Sequence, residues 1–313
     1  MLKFMKKIPG GLLLIPMLIS AIFYTFFPNF FNVGTVSGTF FTKKGINYIL
    51  GLICFLSATS LDLKNLKNII RKQGSILLLK FIISLIFGIL FVKFFGLDGI
   101  FGISALAFIT CICSLNPALY LALSYDYGDK DDIAAFSLAE ILCMPAFPIL
   151  IFSISKSSVI DWTPLISILI PLIFGIIIGN IDREMARFFY PAINILTPFM
   201  SWSFGSGINL ISAFKASFQG IFISILFYIF TLPILFFYER KILKENGITS
   251  IGISSIAGLS TSVPEILANS DQHLAALCQT ATAQIALGVL LTSFFTPFIM
   301  GKFANKLRRE NEN

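Results

Sequence analysis

The strongest constraint in this chain is a repeated length. Stretches of about 20 mostly apolar residues follow one another, separated by short charged connections. That is the length of α-helix needed to cross the hydrocarbon of a bilayer. The stretches fall at 8–27, 45–62, 75–95, 99–122, 132–154, 164–180, 188–210, 217–238, 250–269 and 273–300. Outer-membrane barrel strands are excluded, because they alternate apolar and polar residues over about ten positions. A soluble domain is excluded as well. No water-facing surface accommodates a 313-residue chain that is 56% hydrophobic and 12% charged, with 35 Phe and a mean hydropathy of +0.88. The expected fold class is an all-α membrane protein with about ten transmembrane helices.

The first stretch follows Lys3, Lys6 and Lys7 and so resembles a signal peptide. It is long for one, holds Pro9 and Pro16, and no small-residue cleavage site follows, so it reads as the first span. Charge then sets orientation. Seventeen Lys and Arg fall with the N-terminus and the even-numbered loops, and five (Lys43, Lys44, Lys93, Lys156, Lys215) on the opposite side, with Lys80 inside a span. The positive-inside rule places both termini in the cytoplasm, which requires an even number of spans. The formal net charge of +7 is explained by this sorting, and no single basic face points to nucleic acid.

The two halves repeat one another. Ile15-Pro16-Met17-Leu18-Ile19 in span 1 matches Ile170-Pro171-Leu172-Ile173-Phe174 in span 6. Leu61-Asp62-Leu63 matches Ile208-Asn209-Leu210, and Gly102-Ile103-Ser104-Ala105 matches Gly252-Ile253-Ser254-Ser255. Ile133-Ala134-Ala135-Phe136 matches Leu274-Ala275-Ala276-Leu277. The order is preserved at offsets of 141 to 155 residues. Residues 1–154 and 155–313 thus form two five-span repeats, and an odd span number inverts the second relative to the first.

Spans 4 and 9 are interrupted. Span 4 carries Ser114-Leu115-Asn116-Pro117, and span 9 carries Gly258 and then Ser260-Thr261-Ser262-Val263-Pro264-Glu265. Proline deletes a backbone donor and clashes with the preceding turn. Irregular backbone at membrane depth persists only within protein or beside a wet cavity. One such kink merely shapes a bundle, but two at matching places in inverted repeats mark a midplane binding site. Half-helix N-termini there suit a carboxylate. The candidate binding residues are Ser114, Asn116, Tyr120, Thr261, Ser262 and Lys80. Lys80, six residues into span 3, either snorkels to the interface or supplies a counter-charge to an acidic substrate. Glu140 in span 5 and Glu265 in span 9 are candidate proton carriers, because intramembrane carboxylates mark pathways. A structural, protonated or paired role is the plainer alternative for Glu140.

The five cysteines read as small apolar residues without a C-x-x-C pair, and His273 is the sole histidine, so neither metal nor cofactor is expected. No catalytic triad spacing points to an enzyme.

With these residues in view, the chain resembles the 2-keto-3-deoxygluconate permease family. The likeness runs from Lys7-Ile8-Pro9-Gly10-Gly11 through Gly74, Lys80, Asn116, Leu119, Tyr120 and Tyr127-Gly128. It continues through Gly179-Asn180-Ile181-Asp182, Arg187-Phe188-Phe189, Gly252-Ile253, Ala257-Gly258 and Pro264. The resemblance implies proton-coupled uptake of 2-keto-3-deoxygluconate, a sugar acid, through the inner membrane. It also implies a plan similar to bile-acid and sodium/proton transporters, in which broken helices 4 and 9 cross. Spans 1, 2, 6 and 7 would form a panel, and spans 3–5 and 8–10 a core. The expectation is an alternating-access symporter for a small organic anion. A sodium-coupled carrier of another organic anion is the alternative.

Overall fold

The structure, a computed structural model, describes the chain except for residues 6–10, 60–62, 64–69, 130–131, 134, 137, 140–142, 144–145, 156–162, 269–271 and 313. Among the described residues it is helical and contains no sheet. The principal helices are α1 (Gly11–Phe26), α2 (Ile46–Thr59), α3 (Ser75–Phe95), α4 (Ala105–Cys113), α5 (Pro117–Tyr127) and α6 (Ala146–Ser155). They continue as α7 (Thr163–Ile181), α8 (Arg183–Ser206), α9 (Ser217–Phe237), α10 (Ile248–Gly252), α11 (Val263–Ala268) and α12 (Gln272–Glu312). Short helices at Leu2–Met5, Gly34–Phe41 and Leu210–Lys215 lie between or before them.

Side-chain caps set several of the starts. Ser104 accepts the Ala107 N–H at 3.3 Å to open α4. Asp182 accepts the N–H groups of Glu184 (2.8 Å) and Met185 (3.1 Å) to open α8. Each cap satisfies donors that the first helical turn leaves unpaired.

Among the described residues, four segments are long and apolar enough to cross a bilayer: Ile70–Phe95, Ala105–Ser124, Phe218–Leu243 and His273–Leu307. The outward faces fit that reading. Leu78, Ile82, Ile86 and Ile89 form an exposed apolar stripe on α3, and Phe218, Ile221, Ile225 and Ile229 form another on α9. Contiguous exposed apolar stripes of this kind are a liability in water and ordinary in lipid.

Two packing groups stand out. In the first, α8 lies along α1 and α2, and α7 lies along α2. Gly175 and Gly179, one helical turn apart on α7, sit directly on the backbone of α2: a side chain on Gly175 would strike the Phe55 carbonyl, and one on Gly179 the backbone of Thr59. This small-xxx-small seam lets two backbones approach where lipid offers helices no hydrophobic drive to associate. In the second group, α3, α6, α9 and α12 surround α4, while α10 packs on α5 and α11 on α12.

The element positions follow the apolar stretches closely, with three differences. The interruption of span 9 is broader and earlier than its proline indicates. Backbone leaves the helix at Ile253, runs through 253–257, and re-enters as a 3-10 turn at Gly258–Ser262. Pro264 then stands in the first turn of α11, where its missing N–H has no partner to lose. Helix α12 continues to Glu312, well past the expected end at 300, because Lys302, Lys306 and Arg308 are good helix formers once outside the lipid. Lys80 does not snorkel: it is 2% exposed. It lies on the buried stripe Ile76, Leu77, Lys80, Ile83, Ser84, Gly88 and Phe91 of α3, and the packing of α4 and α9 on that stripe closes its route to the interface.

Candidate functional site

The first interruption is three residues long. α4 ends at Cys113, Ser114 and Asn116 adopt extended backbone, and Pro117 opens α5. The Asn116 side chain accepts the Leu119 N–H at 3.2 Å and so caps α5. Asparagine and proline adjacent at a helix start explain why the chain breaks here and resumes at once.

The second interruption is held by the neighbouring helix. Thr292 on α12 accepts the Ile256 N–H at 2.9 Å, and Thr296 donates to the Ser254 carbonyl at 2.5 Å. Backbone groups freed from the helix ladder are thus paired by hydroxyls from α12, the requirement for irregular chain at this depth. The Thr261 hydroxyl donates to the Gly258 carbonyl at 2.7 Å, closing the 3-10 turn.

The two interruptions meet. Ser114 Oγ and Ser260 Oγ lie 2.7 Å apart, and the Ala257 N–H donates to Ser114 Oγ, also at 2.7 Å. All of these groups are buried. On the same two interruptions Asn116 Nδ2 and Ser255 Oγ have no hydrogen-bond partner, and neither does Lys80 Nζ, near Cys113 at the end of α4. The Lys80 ammonium position is 4.8 Å above the centre of the Phe227 ring of α9. Buried polar groups in proteins are nearly always paired, so each of these leftover donors calls for an explanation.

The expected site residues divide as follows. Ser114, Asn116 and Thr261 lie on the two meeting interruptions, and Lys80 lies beside the end of α4, in electrostatic contact with Cys113. Tyr120 is fully buried, but its hydroxyl donates to the Asp132 carbonyl at 2.6 Å and lies 3.4 Å from the Thr249 hydroxyl, so it ties α5 to α10. Ser262 closes the 3-10 turn and Glu265 stands in the first turn of α11. Glu140 and Asp62 lie outside the described residues. None of the five cysteines, all among the described residues, forms a disulfide. No cluster of three metal-ligating side chains occurs among the described residues.

Sequence reasoning missed a second polar centre beneath the two interruptions. Glu239, 1% exposed, accepts the N–H groups of Gly247 (3.0 Å), Thr249 (3.2 Å) and Ser250 (2.6 Å), fixing α10 from below. Asp132 accepts from the Thr249 hydroxyl at 2.7 Å and from Asn246 Nδ2 at 2.9 Å. Glu239 sits at the boundary between an apolar span and a basic run, where a carboxylate reads as a loop residue. Only the turn at Gly247 brings α10 back over it.

A cleft of about 270 Å³ opens beside the end of α8. Tyr24, Asn32, Thr42, Lys44, Gly207 and Asn209 line it. A few residues back along α8, Phe204 packs against Gly258 of the second interruption.

Comparison with known proteins places these features in context. A family profile described as 2-keto-3-deoxygluconate permease matches residues 2–309. The chain is 29% identical over 310 residues to the 2-keto-3-deoxygluconate permease 1 of Salmonella typhimurium, covering 98% of this chain and 96% of the relative. It is 30% identical over 316 residues to the 2-keto-3-deoxygluconate permease of Bacillus subtilis (97% and 94%). It is also 30% identical over 307 residues to that of Pectobacterium atrosepticum (96% of each).

Proposed function

The chain belongs to the 2-keto-3-deoxygluconate permease family, and from that membership we propose that it imports 2-keto-3-deoxygluconate, or a closely similar sugar acid, by proton symport. The family is one of transporters, so the chain is a multi-pass membrane protein and not an enzyme. The proposed setting is the cytoplasmic membrane with both termini inside. The observation that carries the reading is the buried contact of Ser114 with Ser260 and Ala257, on two interruptions that also carry the unpaired donors Asn116 Nδ2 and Ser255 Oγ. A sugar acid offers a carboxylate and several hydroxyls, and that donor-rich site matches both.

In the proposed cycle Ser114, Asn116, Thr261, Ser262 and Lys80 engage the substrate, while Tyr120 secures the half-helix that presents Asn116. The coupling proton is assigned on sequence grounds to Glu140 or Glu265. The group containing α1, α2, α7 and α8 serves as panel, and the rest as core, in two inverted repeats. Rocking of one against the other alternates access to the crossing. The cleft beside Lys44 is the outer approach, where a cation at the mouth draws in an anion.

Purified protein in liposomes, given labelled 2-keto-3-deoxygluconate, tests this reading. Accumulation is expected only with an imposed inward proton gradient. Equal accumulation without it removes proton coupling. Accumulation that vanishes when choline replaces sodium assigns the coupling ion to sodium instead.

A further inference from the structure

Lys80 is the most anomalous group in the molecule. It is 2% exposed on an apolar helix, and its amine has no hydrogen-bond acceptor. The Phe227 ring faces it, with its centre 4.8 Å away. An aromatic face attracts a cation weakly compared with a carboxylate.

Among the described residues, the elements around Lys80 bring no anion to it. From α4 comes the Cys113 thiol, with Cys111 further along the same helix. α6 carries no titratable side chain. The titratable group of α9 is Tyr228, whose hydroxyl turns to Thr296 on α12 at 2.8 Å. On α5, Tyr120 is bonded to Asp132. The Glu239 carboxylate is turned to the amides of α10. Of the ion pairs formed among the described residues, none includes Lys80.

A buried amine without an acceptor responds to two ligands at once. A substrate carboxylate beside it favours the protonated form, and the proton in turn favours the carboxylate. Thermodynamic linkage makes these two effects equal. We propose that Lys80 is the group through which proton and anion binding are linked: the amine takes up one proton as the substrate carboxylate docks and releases both on the other side. Proton and monoanion then move together with no net charge. This assigns to Lys80 the role that sequence placed on Glu140 and Glu265, and it rests on the sugar-acid reading above.

The experiment adds neutralised 2-keto-3-deoxygluconate to detergent-purified protein in weakly buffered solution and records proton uptake with an indicator dye. Affinity is measured in parallel as pH is raised, and the methyl ester of the same acid serves as an uncharged control. Wild type is expected to take up close to one proton per anion bound, none with the ester, and to lose affinity by about tenfold per pH unit in the alkaline range. Lys80→Met is expected to bind about 30-fold or more weakly, without proton uptake. Lys80→Arg, whose side chain stays charged, is expected to bind the anion without proton uptake and to equilibrate it across liposomes without accumulation. Its thermal melting checks that the fold survives. Glu140→Gln and Glu265→Gln decide between this assignment and the carboxylate one: proton uptake that survives in both supports Lys80.

Wild-type proton uptake that persists in Lys80→Arg, or that disappears in either glutamine variant, overturns the inference and leaves the transporter reading standing. Absence of any binding of the acid to wild type at every pH overturns the transporter reading, and this inference with it.

Discussion

The seam between α7 and α2 and the meeting of the two interruptions solve opposite problems with opposite materials. At the seam, Gly175 and Gly179 bring backbone onto backbone at Phe55 and Thr59, with no hydrogen bond needed between the helices. At the interruptions, backbone is freed from its own helix and bound instead by side chains: Thr292, Thr296, Ser114 and Asn116. The seam is tight and has one way to fit. The meeting of the interruptions is held by exchangeable hydrogen bonds and leaves Asn116 Nδ2 and Ser255 Oγ unpaired. Steric closeness gives rigidity, and polar exchange gives a place where something can bind and later leave.

Four substitutions test that contrast. Gly179→Leu forces a side chain into the backbone of Thr59. A loss of about 3 kcal/mol or more is expected, since backbone cannot move aside as a side chain can. Melting in detergent and the yield of monodisperse protein measure it, and a wild-type melting temperature would show the seam to be loose. Replacing Thr292 by Val strands the Ile256 N–H, at about 1–3 kcal/mol. Here melting should fall and uptake should fall further, because the 253–257 backbone loses its anchor. Asn116→Ala removes a helix cap worth about 1 kcal/mol, yet initial uptake should drop at least about tenfold if its amide meets substrate. Should stability collapse as far as in Gly179→Leu, the meeting of the interruptions is structural glue and the contrast fails. Smallest of all is Lys72→Ala, which breaks the 2.9 Å pair with Glu245 at a partly exposed site. A change within about 1 kcal/mol is expected, shrinking in high salt.

Much of this architecture was legible before the structure. The helices were legible because lipid imposes a length and an apolar composition that no other solvent demands. The first interruption was legible because Asn116 and Pro117 are local signals with local effects. The second was legible in existence and displaced in position. Pro264 drew attention, but a proline in a first turn breaks nothing, and the true departure at Ile253 depends on Thr292 and Thr296 some 40 residues later. Lys80 was ambiguous for a related reason. Six residues from a span end, a lysine reaches the interface unless neighbours wall it in, and only the arrival of α4 and α9 decides that. Glu239 was invisible because its partners are backbone amides of α10, which carry no side-chain signature.

The contact between Ser114 and Ser260 has one more consequence. Either hydroxyl serves as donor or acceptor. The joint therefore has no fixed polarity, and reversing it requires two bond rotations rather than any change of charge. An ion pair at that spot would resist separation far more strongly, and two methyl groups would offer an incoming sugar nothing to grip. A hydroxyl pair trades its mutual bond for two bonds to a polyol at little net expense. On the proposed reading, it is a clasp that the cargo itself can undo, and that shuts again once the cargo has gone.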